Sequence, residues 1–328
     1  MRAIVQHGYG SADTWEQRDL PVPVPGRGQV LVRVHAAAVD RGTWHLMTGT
    51  PLLVRPAVGF GGLRRPVPGR DLAGVVEAVG EDVAGFAPGE EVFGTGEGSL
   101  AEFSLVPARR LARKPAALSF EEAAAAPVSG LTALQALRAG GLRAPGDGEG
   151  RAVLVIGASG GVGTSAVQLA RSSGAAVTGV CGPTKADLVR SLGAEQVLDH
   201  TREDVDATGT RYDVVLDIAG NRPVSLLRRA LTPAGTLVVV GGEGGGRLTG
   251  GLHRQLGAAA LSPFVRQRLV VLVASENAAD LAELARLADE GAFRPALDRT
   301  FPLAEAAKAI RHLEAGHARG KVVVTLRG

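Results

Sequence analysis

The chain has 328 residues, of which 45 % are hydrophobic and 21 % charged, and 36 basic against 33 acidic residues give a net charge of +3. This composition is that of a soluble globular protein of about two domains, and it excludes a wholly disordered chain. The single cysteine, Cys181, excludes an internal disulfide, a four-cysteine zinc site and an iron–sulfur cluster held by the chain's own thiolates. The basic residues are spread among acidic ones, which argues against a nucleic-acid partner.

The first hundred residues predict short β-strands. Met1–Tyr9 lacks the basic and apolar runs of a secretory signal, so we expect a cytoplasmic protein. Apolar runs at 30–34 and 74–80, bounded by glycine and proline turns, are typical of a small barrel-like domain. Between them, Thr50–Arg70 is rich in proline, glycine and arginine and predicts a long loop. Long loops in compact domains are often functional.

From about residue 118 the pattern changes to alternating helices and strands. Ser119 and Glu122 form a capping-box pattern ahead of an alanine run, which predicts the start of a helix. Continuous apolar strands with helical crossovers predict a six-stranded, doubly wound parallel sheet. The six strands are expected at Ala152–Ile156, Ala176–Val180, Gln196–Leu198, Val214–Leu216, Leu237–Val240 and Leu269–Val273.

The last helix and strand follow a completed sheet, so we expect them to rejoin the N-terminal domain. This assigns residues 1–117 and 288–328 to one domain and residues 118–287 to the other.

The segment Ala152–Ala170 predicts a strand, a glycine turn and a helix. It is uncharged over the length of a membrane span, but the glycines at its centre favour this interpretation, and we expect no membrane partner. Gly160 would let the backbone approach a pyrophosphate, and Gly163 would allow close packing of helix and strand. The turn therefore predicts dinucleotide binding, with a purely structural turn as the alternative. The residues expected at the pyrophosphate are Ser159, Gly160, Gly161, Val162 and Gly163.

The end of the next strand favours NADPH over NADH. NAD enzymes usually carry an acidic residue there for the ribose 2′-hydroxyl, whereas this strand ends at Cys181. Without an acid to repel it, and with Lys185 within reach, a 2′-phosphate is favoured. The alternative is that Lys185 is a solvated lysine of the following helix.

Several motifs together resemble the medium-chain dehydrogenase/reductase superfamily and, within it, the zinc-independent quinone oxidoreductase-like branch. Beyond the glycine turn, the motifs lie at 74–80, 127–133, 192–194, 212–217 and 320–323. The resemblance implies a GroES-like β-barrel catalytic domain formed by both chain ends. It also implies an inserted Rossmann domain, an active site in the cleft between the two, and a small-molecule substrate.

Zinc-dependent relatives carry a cysteine in the first loop and a Gly-His-Glu motif in a second. Here the first loop contains Asp40 and the second reads Pro68-Gly69-Arg70-Asp71, so the cysteine and histidine ligands are absent. We therefore expect no catalytic zinc. Without a metal, hydride transfer depends on positioning and suits a reactive acceptor such as a quinone or an enone.

The first loop also supplies the catalytic candidates. Zinc-free relatives often carry Asn-x-x-Asp beside the nicotinamide, and the corresponding residues here are Asp40 and Thr43. A helix N-cap is the alternative role for Asp40. His45 titrates near neutrality and is a candidate proton relay.

The resemblance suggests further contacts around the cofactor. It places Thr132 near the nicotinamide carboxamide, Gly241 and Gly242 close to the ring, and His200 near the adenosine phosphate. Candidates for an apolar wall are Trp44, Phe60 and Leu63, each of which has a core role as its alternative.

These observations predict an NADPH-dependent, zinc-free oxidoreductase for a quinone, an enone or a related carbonyl compound. The alternatives are a 2-enoyl or alkenal reductase of narrow specificity and a non-enzymatic NADPH-binding protein. Relatives commonly dimerise through an edge strand, and Leu269–Val273 would serve in a homodimer. The glycine-rich segment 241–251 has no assigned role and is interpreted as a mobile loop over the cleft.

Overall fold

The computed structural model describes residues 1–55, 66–207, 209–242, 246 and 248–326, with Val54 described by its backbone alone. The chain forms two units. The first unit contains Met1–Leu131 and Glu276–Gly328, and the second contains Thr132–Ser275.

The strands of the first unit follow the apolar runs between glycine and proline turns. They are β1 (Arg2–Gln6), β2 (Trp15–Asp19), β3 (Gln29–Val39), β4 (Asp71–Val79), β5 (Glu91–Thr95), β6 (Phe103–Pro107), β7 (Leu111–Arg113), β14 (Leu297–Pro302) and β15 (Lys321–Thr325). β1 and β2 form an antiparallel pair, and the larger sheet has the order β14-β15-β3-β4-β5-β7, with β6 pairing with β3. The last strand therefore lies beside β3, in antiparallel register from Val322 opposite Val39.

β3 is the central strand of this unit, since it pairs with β15, β4 and β6. Val30, Val32 and Val34 are almost fully buried and pack with Leu72 of β4 and Val92 of β5. These alternate residues lie on one face of β3, because successive side chains of a strand point to opposite faces.

Five helices of the first unit lie in the described residues. They are α1 (Arg41–Thr48), α2 (Phe120–Ala125), the start of α3 (Pro127–Ala139), α8 (Ala278–Asp289) and α9 (Ala306–Glu314). The predicted capping box at α2 is present, since Ser119 Oγ accepts from the Glu122 N–H and the Glu122 carboxylate accepts from the Ser119 N–H. α9 buries Ala306, Ala309 and Ile310 in the core.

The second unit is a parallel sheet flanked by helices. Its strands are β8 (Ala152–Ile156), β9 (Ala176–Cys181), β10 (Gln196–Asp199), β11 (Tyr212–Asp217), β12 (Leu231–Val239) and β13 (Arg268–Val271). Its helices, after α3, are α4 (Gly161–Ser172), α5 (Ala186–Ser191), α6 (Val224–Arg229) and α7 (Leu252–Leu261). The strand order β10-β9-β8-β11-β12-β13 is that of a Rossmann fold, so the predicted six-stranded parallel sheet is confirmed.

The strand order reverses at β8, which has β9 on one side and β11 on the other. Ligands of such sheets bind at the carboxyl ends of the strands next to this reversal. This edge therefore positions the candidate site of the second unit. No helix in the described part of the chain is both long and apolar enough to cross a membrane.

Candidate active site

The glycine turn after β8 leaves the first backbone N–H groups of α4 available to a ligand. Gly160 is the N-cap of α4, with extended backbone (φ −84°, ψ 175°) and no side-chain cap. The first N–H groups of a helix have no partner within the helix and carry the positive end of its dipole. Such a helix start is the kind of site that binds a pyrophosphate, and the sequence predicts one at this turn.

Two glycines of this turn have different surroundings. A Cβ on Gly163 would overlap the carbonyl oxygen of Gly157, which is the close helix-to-strand packing predicted for it. A Cβ on Gly160 would meet no atom closer than 3.7 Å, so packing within the protein does not require glycine there. The open space at Gly160 suits a ligand that approaches the backbone. Ser159 is buried beside it.

Basic side chains lie at the end of β9. Its last residue, Cys181, is buried, and burial raises the pKa of the thiol while the nearby charge of Lys185 opposes this. Lys185 is half-buried at the end of a 3₁₀ turn that starts at Pro183. The His200 N–H donates to the Cys181 carbonyl oxygen (3.2 Å), and a Cβ on Gly182 would lie 3.6 Å from His200 Nε2. The structure thus brings Lys185 and His200 to the same strand end.

An acidic residue also lies at this strand end, although the sequence does not place it there. Asp199 ends β10 and pairs in parallel register with Cys181. Asp199 Oδ1 accepts from the Thr201 N–H (2.9 Å) and the Thr201 hydroxyl (2.8 Å), and these bonds lower the pKa of the carboxyl. Arg202 Nε lies 3.8 Å from the other oxygen, Oδ2. The Thr201 donors and the nearby Arg202 guanidinium thus stabilise the negative charge of the Asp199 carboxylate.

The backbones at the ends of β11 and β12 approach so closely that only glycine fits. A Cβ on Gly220 would lie 2.5 Å from backbone atoms of Gly241, and one on Gly241 would overlap the Ile218 carbonyl oxygen. A Cβ on Gly251 would lie 2.5 Å from the Gly242 carbonyl oxygen. These contacts account for the glycines at both ends of the 241–251 segment.

In the first unit, Asp40 is the N-cap of α1. Its Oδ1 accepts from the Thr43 N–H (2.8 Å) and the Thr43 hydroxyl (3.0 Å). This is the capping role considered as the alternative, and it brings two catalytic candidates together. Thr43 is 1 % exposed, and its only hydroxyl hydrogen is used in this contact.

His45 lies on the same helix with a different partner. Its Nδ1 lies 2.7 Å from the Thr50 carbonyl oxygen, and because a carbonyl only accepts, Nδ1 carries the proton. The ring is edge-on to Trp44 with the centroids 5.0 Å apart, and Trp44 Nε1 donates to Glu314 (3.3 Å). In the neutral ring, Nε2 is therefore the nitrogen that can accept a proton.

Three ionisable side chains form a buried cluster at the start of α1. Lys321 Nζ lies 2.7 Å from Asp71 Oδ2 and 3.8 Å from Asp40 Oδ2. The Lys321 side chain is 3 % exposed and that of Asp71 is fully buried. Asp71 Oδ1 also accepts from the Val128 N–H at the start of α3 (2.9 Å). The cluster thus joins β4 and β15 to the N-termini of two helices.

In this cluster the ammonium of Lys321 stabilises the charged forms of two carboxylates, those of Asp40 and Asp71. Burial disfavours the charged form of Asp40, but Lys321, the Thr43 donors and Arg70 outweigh it and lower the pKa of Asp40. Burial raises the pKa of Asp71, and Lys321 only partly offsets this. Burial also opposes the charge of Lys321, yet the two carboxylates raise its pKa. Asp40 is therefore an ionised carboxylate and Lys321 an ammonium at neutral pH.

Comparison with known proteins agrees with this architecture. Residues 26–116 match the family described as alcohol dehydrogenase GroES-like domain, and residues 192–324 match the family described as zinc-binding dehydrogenase. The chain is 34 % identical to the chloroplastic quinone-oxidoreductase QR1 of Triphysaria versicolor, over 99 % of this chain and 98 % of the relative. It belongs to the medium-chain dehydrogenase/reductase superfamily, in the quinone oxidoreductase-like branch.

Two further proteins similar to this superfamily member indicate which cofactor the family uses. The mitochondrial NAD(P)H oxidoreductase RTN4IP1 of Mus musculus is 33 % identical over 91 % of this chain and 82 % of the relative. A mycobacterial protein whose structure was solved with NADPH superposes with a TM-score of 0.80 at 26 % identity, covering 99 % of this chain and all of that one. This dehydrogenase/reductase is thus an oxidoreductase of an NAD(P)H-dependent family, and the predicted family and enzyme class are confirmed.

Asp71 and Lys321 of this dehydrogenase/reductase are site residues that the sequence alone does not predict. Lys321 lies in a motif that carries the family resemblance, and Asp71 lies in the second of the loops compared with zinc-dependent relatives, but their contact appears only once β15 pairs beside β3. Thr132 lies in α3, four residues after Val128, and is half-buried. The wall candidates Phe60 and Leu63 lie outside the described residues, as do 243–245 and 247 in the glycine-rich segment.

Proposed function

We propose that this protein transfers a hydride from NADPH to a quinone, an enone or a related carbonyl compound, and that it does so without zinc. The observation that carries this proposal is the turn after β8. The uncapped N-terminus of α4 and the open space at Gly160 fit a pyrophosphate. The kinship to quinone oxidoreductases supports the acceptor class.

The preference for NADPH rests on the end of β9. A buried thiol stands there in place of an acidic side chain, and Lys185 and His200 lie beside it. A 2′-phosphate would gain charge-assisted hydrogen bonds from such groups. The carboxylate of Asp199, which lies at this strand end, already accepts two hydrogen bonds from Thr201.

The cofactor supplies the hydride when it is bound, and the residues of the first unit hold charge and protons. Because the pKa of Asp40 is lowered, this residue does not serve as a general acid. A fixed carboxylate would instead stabilise positive charge on the nicotinamide when the cofactor is bound. We assign the proton to His45, whose Nδ1 is held by the Thr50 carbonyl oxygen.

The residues present do not fit a catalytic zinc. The two loops that hold zinc in zinc-dependent relatives contribute Asp40, Arg70 and Asp71, and the ammonium of Lys321 lies between the two carboxylates. A catalytic zinc is held by about three thiolate, imidazole or carboxylate ligands, with water or substrate in the fourth position. Among the residues that the structure describes, no three such side chains are grouped to hold a metal ion. The proposed chemistry therefore includes no metal step.

The test on purified protein is NADPH oxidation with a panel of quinones and enals, and NADP⁺ reduction with simple alcohols. We expect turnover with quinones or enals, none with alcohols, and no loss of activity after treatment with a chelator. Turnover with a single enal class would favour a narrow alkenal reductase. NADPH binding without turnover on any acceptor would favour a non-enzymatic binding protein, and loss of activity on chelation would contradict the zinc-free mechanism.

We also propose a homodimer formed through β13. This strand is at the edge of the six-stranded sheet, and unpaired edge strands readily pair with a second copy. The chain around it exposes large apolar side chains, with Phe264 at 84 % and Val273 at 88 % exposure. Their burial would favour association.

A further inference from the structure

The side chain and carbonyl of Asp217 tie together the turns that follow β11 and β12. Its carbonyl oxygen accepts from the N–H groups of Val240 (3.0 Å) and Gly241 (3.1 Å). Its Oδ1 accepts from the Gly220 N–H (3.2 Å), and its side chain is fully buried. A single residue at the end of β11 thus fixes the backbone of both turns.

Arg254 of α7 closes this arrangement. Its Nη2 lies 2.5 Å from Asp217 Oδ2 and its Nε donates to the Arg222 carbonyl oxygen (2.9 Å). The Arg254 side chain is 9 % exposed, so the ion pair is buried. Asp217 and Arg254, which we call the clamp, thereby bind both ends of the 217–222 turn to the helix that follows the glycine-rich segment.

The clamped turn also contacts the phosphate turn. The Ile156 carbonyl oxygen at the end of β8 accepts from the N–H groups of Ile218 (3.1 Å) and Ala219 (3.2 Å). A Cβ on Gly157 would lie 3.2 Å from the Ala219 nitrogen. The carboxyl edge of the sheet is therefore one continuous backbone surface from β8 to β12.

The strand order decides which half of a dinucleotide meets the clamped turns. The basic residues suited to the 2′-phosphate lie at β9 and β10, and the pyrophosphate turn lies at β8. A dinucleotide that crosses the edge in this direction places its nicotinamide half over β11 and β12. Those are the strand ends that Asp217 and Arg254 hold.

We propose that Asp217 and Arg254 are positioning residues for the nicotinamide half of NADPH, an inference that rests on the proposed function. The clamp holds the backbone of Gly220 and Gly241 in the shape that the ring requires. Backbone hydrogen bonds from Val240 and Gly241 to the Asp217 carbonyl oxygen join the two turns, and the Asp217 side chain holds the Gly220 N–H. The buried ion pair with Arg254 fixes that side chain from α7.

The experiment compares Arg254→Met, Arg254→Lys and a control, Arg228→Met, with the wild type. Arg228 is also an arginine of the second unit. Its Nε donates to Gln267 (2.9 Å), the residue before β13, and not to the turns that follow β11 and β12. Dissociation constants are measured for NADPH and for 2′-phospho-ADP-ribose, which carries the same adenosine and phosphates but no nicotinamide. Amide exchange at Gly220 and Gly241 is measured in the absence of ligand.

We expect Arg254→Met to weaken NADPH at least tenfold, to leave 2′-phospho-ADP-ribose within twofold, and to speed exchange at Gly220. Arg254→Lys keeps a cation opposite Asp217 and should restore part of the NADPH affinity. Arg228→Met should change neither ligand. An equal loss for both ligands would show a merely structural role, and unchanged NADPH affinity with unchanged exchange would also overturn the proposal.

The same measurements distinguish a failure of the proposed function from a failure of the clamp proposal. Wild-type protein that binds neither nucleotide would overturn the function and, with it, the role toward nicotinamide. Wild-type protein that binds NADPH, together with an Arg254→Met variant that binds it equally well, would overturn only the clamp.

Discussion

Lys321 is the only cation in direct contact with Asp71 among the described residues, and it also faces Asp40. A buried ammonium between two carboxylates favours their ionised forms, and its effect exceeds the cost of desolvation at Asp40 but only partly offsets it at Asp71. Removing it leaves two buried carboxyls with the α1 and α3 N-termini and Arg70 as their remaining stabilising groups. The electrostatic state of this part of the first unit therefore depends on Lys321.

The pH dependence of the cluster follows from the directions of the pKa shifts. The lowered pKa of Asp40 contributes stability above its unfolded value of about 3.9, and this is lost as the pH falls through the folded value. The raised pKa of Lys321 contributes stability below about 10.4, and this is lost as the pH rises through its folded value. Asp71, raised by burial, acts in the opposite sense to Asp40 and costs stability as the pH rises.

We predict that Lys321→Met destabilises the protein by about 3–5 kcal/mol at pH 8 and by clearly less at pH 5. Without the ammonium the pKa values of both carboxyls rise, so the variant regains stability as they become protonated. Urea unfolding at the two pH values measures this. Lys308→Met is the control, since Lys308 is exposed and pairs with Glu305 at the surface. An equal loss at both pH values would contradict the electrostatic explanation.

A second prediction concerns Lys185. Lys185→Ala should weaken NADPH about tenfold to a hundredfold, the loss of one or two charge-assisted hydrogen bonds, and leave NADH unchanged. Titration of each nucleotide by fluorescence gives the ratio of dissociation constants. Arg171→Ala removes an exposed cation of the same unit, paired with Glu195, and should not alter the ratio. An unchanged ratio in Lys185→Ala would remove this residue from the specificity site.

How much of the candidate site the sequence predicts depends on the separation of the residues along the chain. Asp40 and Thr43 are three residues apart, so a capping contact follows from helix geometry alone. The contact of Asp71 with Lys321 spans 250 residues and depends on the pairing of β15 with β3 and of β3 with β4. No local pattern contains that information. The same holds for Asp199 beside Cys181, which depends on strand register.

At the scale of elements, the turn before α4 contains two glycines with different expected roles. Gly160 leaves room for a ligand, whereas Gly163 is required for packing of the helix on the strand. We predict that Gly160→Ala folds with nearly unchanged stability but binds NADPH at least tenfold more weakly. The reason is that its extended backbone accepts alanine and the added methyl makes only an ordinary van der Waals contact, 3.7 Å from the Gly157 carbonyl oxygen. Gly163→Ala should destabilise by about 1–3 kcal/mol or more, because its methyl overlaps the Gly157 carbonyl.

The measurements are thermal unfolding and NADPH titration of both variants. The two variants serve as controls for each other, because each adds one methyl group and the two positions are three residues apart. A strongly destabilised Gly160→Ala, or one that binds NADPH normally, would contradict the assignment of the open space to a ligand.

The elements of the second unit follow the sequence closely where hydrophobicity decides them. β8 has the predicted bounds, and β9 and β10 each extend one residue further. β12 differs most, since it begins at Leu231 rather than Leu237. Its first residues, Leu-Thr-Pro-Ala-Gly-Thr, have weak strand propensity, and they are extended because Leu231 pairs with Tyr212 across a register irregularity.

At the scale of the whole molecule, the division into units differs from the predicted domain boundaries. The change in sequence character lies near residue 118, but α2 packs on β3 and β4, and α8 packs on β7. The units therefore divide at 131/132 and 275/276 rather than at 117/118 and 287/288. Sequence pattern identifies where helices begin, whereas the unit that a helix joins depends on which strands it covers.

The edge strand β13 gives the last prediction, the assembly of two chains. Phe264 and Val273 are 84 % and 88 % exposed, so the double substitution Phe264→Lys, Val273→Lys adds charge beside the edge without disturbing the core. Lysine at an edge opposes pairing of strands. Light scattering should give twice 33.6 kDa for the wild type and 33.6 kDa for the double variant. Leu53→Lys, which charges a 55 % exposed residue of the first unit, should leave the dimer intact. A monomeric wild type, or a double variant that still dimerises, would rule out β13 as the interface.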